Sequence, residues 1–220
     1  MPSDRTEKHK LCFGYPKMIF SIAMTKWTGF VDRNAMSTQE SDSRLRQEFG
    51  TVEESPALRI EGDRAEQIVD ALNADLAASY VLYHQLKKHH WNVEGAEFLE
   101  VHRFLEEAYE AVEHHSDVIA ERAQALGGVP VAGPVNLEDH SYVEFEGEDV
   151  YDVRTSLHSD METFADIIER MRDHIELTNS LGDYTSEEVL RGAIADYEEY
   201  AHHLEHYLED DTLVLDEATH

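Results

Sequence analysis

Residues 98 to 128 read FLEVHRFLEEAYEAVEHHSDVIAERAQALGG. Phe98, Val101, Leu105, Ala108, Val112, Ile119, Ala123 and Leu126 recur at spacings of three, four and seven, as on a helix that buries one face. Gly127-Gly128 then supplies a stop. The pattern predicts one helix over about Glu97 to Leu126, roughly 45 Å long. A second stripe shares that helix: His102, Glu106, Glu110, Glu113, Asp117 and Glu121. At 100° per residue these fall within about 100° of one another, beside the apolar stripe rather than opposite it. A solvated acidic face has the same spacing, and acids are abundant here, so the stripe alone leaves surface and metal-binding readings open.

Three further amphipathic patterns lie outward of this one. The first covers about Asp63, read as an N-cap, to His90, with Ile68, Leu72, Leu76, Ser79, Tyr83 and Leu86 on one face. Another covers about Asp149 to Leu181, with Val150, Val153, Leu157, Phe164, Ile168, Met171 and Ile175. The last covers about Thr185 to Glu209, with Leu190, Ile194, Tyr197, Ala201, Leu204 and Leu208. No strand pattern competes. Short links at Asn92 to Gly95 and at Gly182-Asp183 force two antiparallel hairpins. The middle link, residues 127 to 148 with Pro130 and Pro134, can reach roughly 70 Å when extended, enough to cross a bundle. The expected fold is all-α: a ferritin-like four-helix bundle with one long crossover between helices two and three.

Composition narrows the partners. Acidic residues number 47 against 18 basic ones, a formal net charge of -29, which disfavours nucleic acid. From Met36 onward the only lysines are Lys87 and Lys88, a surface resembling that of an extreme halophile and one that needs salt to screen its self-repulsion. No apolar run is long enough for a membrane span, and the single Cys12 has no partner for an internal disulfide; a cytoplasmic location is expected. Residues 1 to 35 reverse the charge balance, so natural translation is expected to start at Met36, with a disordered arm or a targeting segment as alternatives. Residues 36 to 62 then form an acidic tail, 63 to 211 the bundle and 212 to 220 a C-terminal tail.

The local motifs are more specific. His90-Trp91-Asn92-Val93-Glu94-Gly95, then His102, Asp117-x-x-x-Glu121-Arg122 and Leu126-Gly127-Gly128-Val129-Pro130 resemble the Dps family of mini-ferritins. The resemblance covers about Asp63 to Asp211. It implies a ferroxidase centre of the form H-x11-H-x3-(D/E)-x10-D-x3-E, filled here by His90, His102, Glu106, Asp117 and Glu121. It further implies Fe(II) as substrate, usually with hydrogen peroxide as oxidant, a ferric mineral in a central cavity, protection against oxidative damage and a shell of twelve subunits. Trp91 would lie beside the centre, unless it is an ordinary core aromatic. DNA compaction, the other activity of the family, generally needs a basic tail or surface, which is not found after Met36. A non-catalytic helical bundle is the third alternative.

Helix geometry adds an argument that needs no family. His102 and Asp117 are fifteen residues apart on one helix, ~22 Å along its axis, so they cannot bind one ion. His90 lies near the level of His102 and Glu106, and a second subunit, antiparallel across a two-fold axis, would bring its Asp117 and Glu121 to them. Two imidazoles and three carboxylates suit Fe(II) and stabilise Fe(III). A site inside one bundle needs Glu-x-x-His on two helices, and only Glu199-x-x-His202 offers one. Glu110 and Glu113 are either cavity-side iron ligands or solvated acids. His202 and His206, spaced i and i+4, either bind metal, lie along an iron route or serve as ordinary polar or surface groups. By the resemblance, pores lie near Glu188 and Glu198. The pairs His89-His90, His114-His115 and His202-His203 have no explanation in the sequence.

Overall fold

The computed structural model describes residues 44 to 209. The expectations for residues 1 to 35, for Met36 as a start and for the tail at 212 to 220 lie outside the described residues. Five helices follow in order: α1 Gly62–Asn92, α2 Phe98–Ala125, α3 Pro134–His140, α4 Val153–Ser180 and α5 Tyr184–Leu208. The four long ones match the expected bundle, and there is no strand among the described residues.

Two helix starts differ from expectation. Asp63 is not the N-cap of α1; the helix begins at Gly62, and Asp63 Oδ1 instead accepts from the adjacent Arg64 N–H in the first turn. Its charge still favours the positive end of the helix dipole. At α4 the cap is Asp152, which accepts from the Thr155 N–H at 3.0 Å and the Thr155 hydroxyl at 2.7 Å. Residues 149 to 152 therefore stay in the crossover, and Val150 is 60% exposed rather than part of the apolar stripe.

Side-chain links fix the helix directions. Asp75 meets His174 while Gln85 and His89 meet Asp160, so α1 and α4 run antiparallel. His115 meets Asp196 and Arg122 meets Asp183, so α2 and α5 do likewise. Residues 126 to 152 form the crossover and travel along α1. Asn73 clamps their start by donating to the Val129 carbonyl and accepting from the Val131 N–H. Tyr142 reaches Asp75, and Glu146 reaches Lys88 and His89 at the far end of α1. Within the crossover, α3 was not expected; Pro134 occupies its first turn, where a missing N–H costs nothing.

The core is a continuous apolar column that includes Leu72, Leu76, Leu82, Leu86, Leu105, Ile119, Phe164, Ile167, Met171 and Tyr197. Gly127 closes the α2 end with φ of 91°, and a Cβ there would stand 1.8 Å from the Glu53 carbonyl oxygen. The segment before α1 packs on this turn through Glu53 N–H to Gly127 O, 2.9 Å. Only glycine fits both the backbone angle and the approach.

Candidate metal centre

The hairpin joining α1 to α2 sets His90 against His102. Their rings stack with centroids 3.7 Å apart and planes 18° from parallel. His90 Nδ1 lies 2.8 Å from the His102 carbonyl oxygen, and His102 Nδ1 lies 2.9 Å from the His90 carbonyl oxygen. A carbonyl only accepts, so both Nδ1 atoms carry the proton. In the neutral imidazoles both Nε2 atoms then hold free lone pairs. Each ligand candidate is thus fixed in tautomer and ring orientation by the backbone of the other, the arrangement that second-shell groups provide for metal-bound histidine.

Glu106 follows His102 by one helical turn and is half-buried. Sequence reasoning missed its neighbour Tyr109, whose ring meets the edge of His90 at 5.3 Å. The signal was available, since Tyr109 lies seven residues from His102, two turns along the same face. Burial, followed by the charge of Glu106, raises the pKa of the Tyr109 phenol. Lys87 Nζ sits 4.6 Å from the Tyr109 ring centre and donates to the Tyr83 hydroxyl at 3.0 Å. Trp91 is 68% exposed, which overturns the core-aromatic reading of that residue.

The other half of the expected set lies further along α2. Asp117 and Glu121 are exposed, as are Glu110 and Glu113 between the two halves. Glu113 and Asp117 flank Tyr80 of α1, whose phenol pKa is raised by burial and then by their charges. Arg122 anchors this end of α2: Nη2 donates to Asp183 Oδ1 at 2.7 Å and Nε to the Ser186 hydroxyl at 2.8 Å. Burial works against the Asp183 charge, but Arg122 and Ser186 outweigh it and hold the carboxyl below its ordinary range. Among the described residues of one chain, no three His, Cys, Asp or Glu side chains converge on a single ion position.

The in-bundle alternative has no room. Glu199 and His202 are both exposed on the outside of α5. Inside, Tyr197 is fully buried and donates to the Ser79 hydroxyl at 3.0 Å, filling the middle of the bundle.

His89, next to the candidate ligand, belongs to a separate buried network. Its Nδ1 lies 2.8 Å from Asp160 Oδ2 and its Nε2 2.6 Å from Glu146 Oε1, so as imidazolium it donates to both. Burial opposes the charge, yet the two carboxylates outweigh it and raise the His89 pKa. Lys88 adds a second cation on Glu146 and donates to the Gly147 carbonyl, while Gln85 donates to Asp160. This network ties α1, α4 and the crossover together directly behind the ligand-bearing end of α1. It also accounts for Lys88, whereas Lys87 faces Tyr83 and Tyr109 instead.

Four long helices with one long crossover place the molecule among the ferritin-like proteins, and the ferritin-like domain family matches residues 69–214. The chain is 58% identical to the DNA protection during starvation protein of Halobacterium salinarum, over 83% of this chain and 99% of that protein. Against the nutrient stress-induced DNA-binding protein of a Synechococcus strain it is 37% identical, over 80% of this chain and 99% of that one. The solved structure of an archaeal Dps homologue from Halobacterium salinarum superimposes with a TM-score of 0.77, covering 80% of this chain and 98% of the other. The chain belongs to the Dps family of mini-ferritins.

Proposed function

We propose that this protein is a ferroxidase and iron-storage shell whose catalytic sites are shared between subunits. His90, His102 and Glu106 form one half of each site, and Asp117 and Glu121 of a two-fold-related subunit form the other. The observation that carries this reading is the reciprocal clamp of His90 and His102. It orients two Nε2 lone pairs in a chain whose Asp117 and Glu121 lie ~22 to ~28 Å from His102 along the same helix. Nitrogen and carboxylate oxygen together accept Fe(II) and stabilise Fe(III). With peroxide as oxidant, two Fe(II) each lose one electron and one peroxide takes up both, with two protons, to give two waters. Glu110 and Glu113 extend the acid stripe between the half-sites and would hold ferric product on the cavity side. The assembly proposed is the family's dodecamer, in the cytoplasm.

Two of the relatives carry DNA in their names. For this chain we assign protection to iron removal rather than to DNA binding, because a net charge of -29 repels phosphate. A mobility shift of duplex DNA at low salt would contradict that assignment. The ferroxidase reading is tested by following Fe(II) oxidation with stoichiometric peroxide. Wild-type shells should oxidise Fe(II) at least about tenfold faster than shells carrying Asp117→Ala and Glu121→Ala. Equal rates would remove the assignment of those carboxylates.

A further inference from the structure

The last turns of α5 carry a pair of histidines that the iron site does not use. His202 and His206 are exposed, one helical turn apart, with Nε2 atoms 3.1 Å from one another and rings at 75°. His202 Nδ1 lies 3.5 Å from Glu205 Oε2 on its other side. We propose that His202 and His206 form a binding site for one borderline divalent transition ion of the Cu(II), Ni(II) or Zn(II) class, held through both Nε2 atoms.

Three features of the geometry support this. Nitrogens ~2.0–2.1 Å from an ion, at about 90 to 110° to each other, are roughly 2.9–3.4 Å apart, and the observed separation falls inside that range. Without a metal, one Nε2–H must donate to the other Nε2 lone pair. The Glu205 carboxylate favours Nδ1–H on His202, which makes His202 the acceptor and His206 the donor. An incoming ion then needs only a change of tautomer at His206, with no net loss of a proton when both rings are neutral. The negative end of the helix dipole and the adjacent acid Glu205 both favour a cation here.

An all-imidazole pair also sets the ion class. Nitrogen ligands favour Cu(II), Ni(II) and Zn(II) over Mg(II) and, by the Irving–Williams order, over Fe(II). The site therefore differs in preference from the carboxylate-rich iron centre. Two protein ligands leave the remaining positions to water, so the ion stays exchangeable. The neighbouring His203 does not take part; its ring lies 6.1 Å from Phe104 of α2.

The test uses assembled shells of the full chain in which His90→Ala and Asp117→Ala silence the iron centre. One equivalent of Cu(II) per subunit should give an electron paramagnetic resonance spectrum with superhyperfine splitting from two imidazole nitrogens. Adding His206→Gln should reduce the splitting to one nitrogen and weaken binding by at least about tenfold. Adding both His202→Ala and His206→Ala should remove the signal, with helix content and shell size unchanged because both side chains are exposed. A two-nitrogen spectrum that survives the double change, or no stoichiometric Cu(II) binding before it, overturns the proposal.

Discussion

His90 and His102 each donate from Nδ1 to the other's backbone carbonyl, at 2.8 and 2.9 Å, across the hairpin between α1 and α2. The link orients both side chains and closes the hairpin at the same time. It satisfies the His90 carbonyl, one of the last-turn carbonyls of α1 that helix geometry leaves to other partners, and adds a second bond to the His102 carbonyl near the start of α2. Orientation of the ligands and stability of the hairpin are therefore coupled.

Replacing His102 by Phe keeps a stacking ring but removes both the Nε2 ligand and the bond to the His90 carbonyl. Iron oxidation should fall at least about tenfold. The fold should lose roughly 1 to 3 kcal/mol for the unpaired carbonyl. Stopped-flow absorbance and chemical denaturation measure the two effects. A loss of oxidation with unchanged stability would show that the reciprocal bond carries no structural weight.

The Arg122–Asp183 pair gives a pH signature. The carboxyl's folded-state pKa is depressed, so its stabilisation is present above the ordinary aspartate range near ~3.9 and is lost as pH falls through the lower folded value. Asp183→Asn cannot ionise and leaves Arg122 buried without its counter-charge. At neutral pH the variant should be less stable by ~3 kcal/mol, and the gap should narrow in acid. Denaturation midpoints compared at neutral pH and near pH ~3 decide it; a gap independent of pH would mean that the pair's charge is not the cause.

Salt should stabilise the assembly. With 47 acids against 18 bases, moving from molar salt to ~10 mM lengthens the Debye length from ~3 to ~30 Å and exposes the shell to its own repulsion. Melting temperature should fall, or particle size shrink toward smaller species in light scattering. Neither changing would contradict the view of the surface as salt-adapted.

The long helices were legible because Leu72, Leu105, Phe164 and Leu190 each head a repeating apolar face, and α-helical periodicity survives in a highly acidic chain. α3 was not, since seven residues are too few to show a period. Val150 was misplaced because an apolar residue just before a cap looks like the first of its stripe, and only the Asp152 bond to Thr155 separates them. The polar core was invisible for another reason. His89, Glu146 and Asp160 come from three distant segments, and no local pattern pairs them. In the candidate site, spacing alone separated the two half-sites, whereas the tautomers of His90 and His102 needed coordinates.

The most direct test of a shared iron site is complementation in mixed shells. One variant carries His90→Ala and His102→Ala, the other Asp117→Ala and Glu121→Ala, and each alone should assemble but oxidise iron poorly. Reassembled from equal amounts, a mixed two-fold pair collects both lesions in one site and leaves the other whole. Random pairing makes half of the pairs mixed, each with one intact site of two, so ~25% of wild-type activity should return. No recovery, in shells shown by mass spectrometry to contain both variants, would contradict a site built across two subunits.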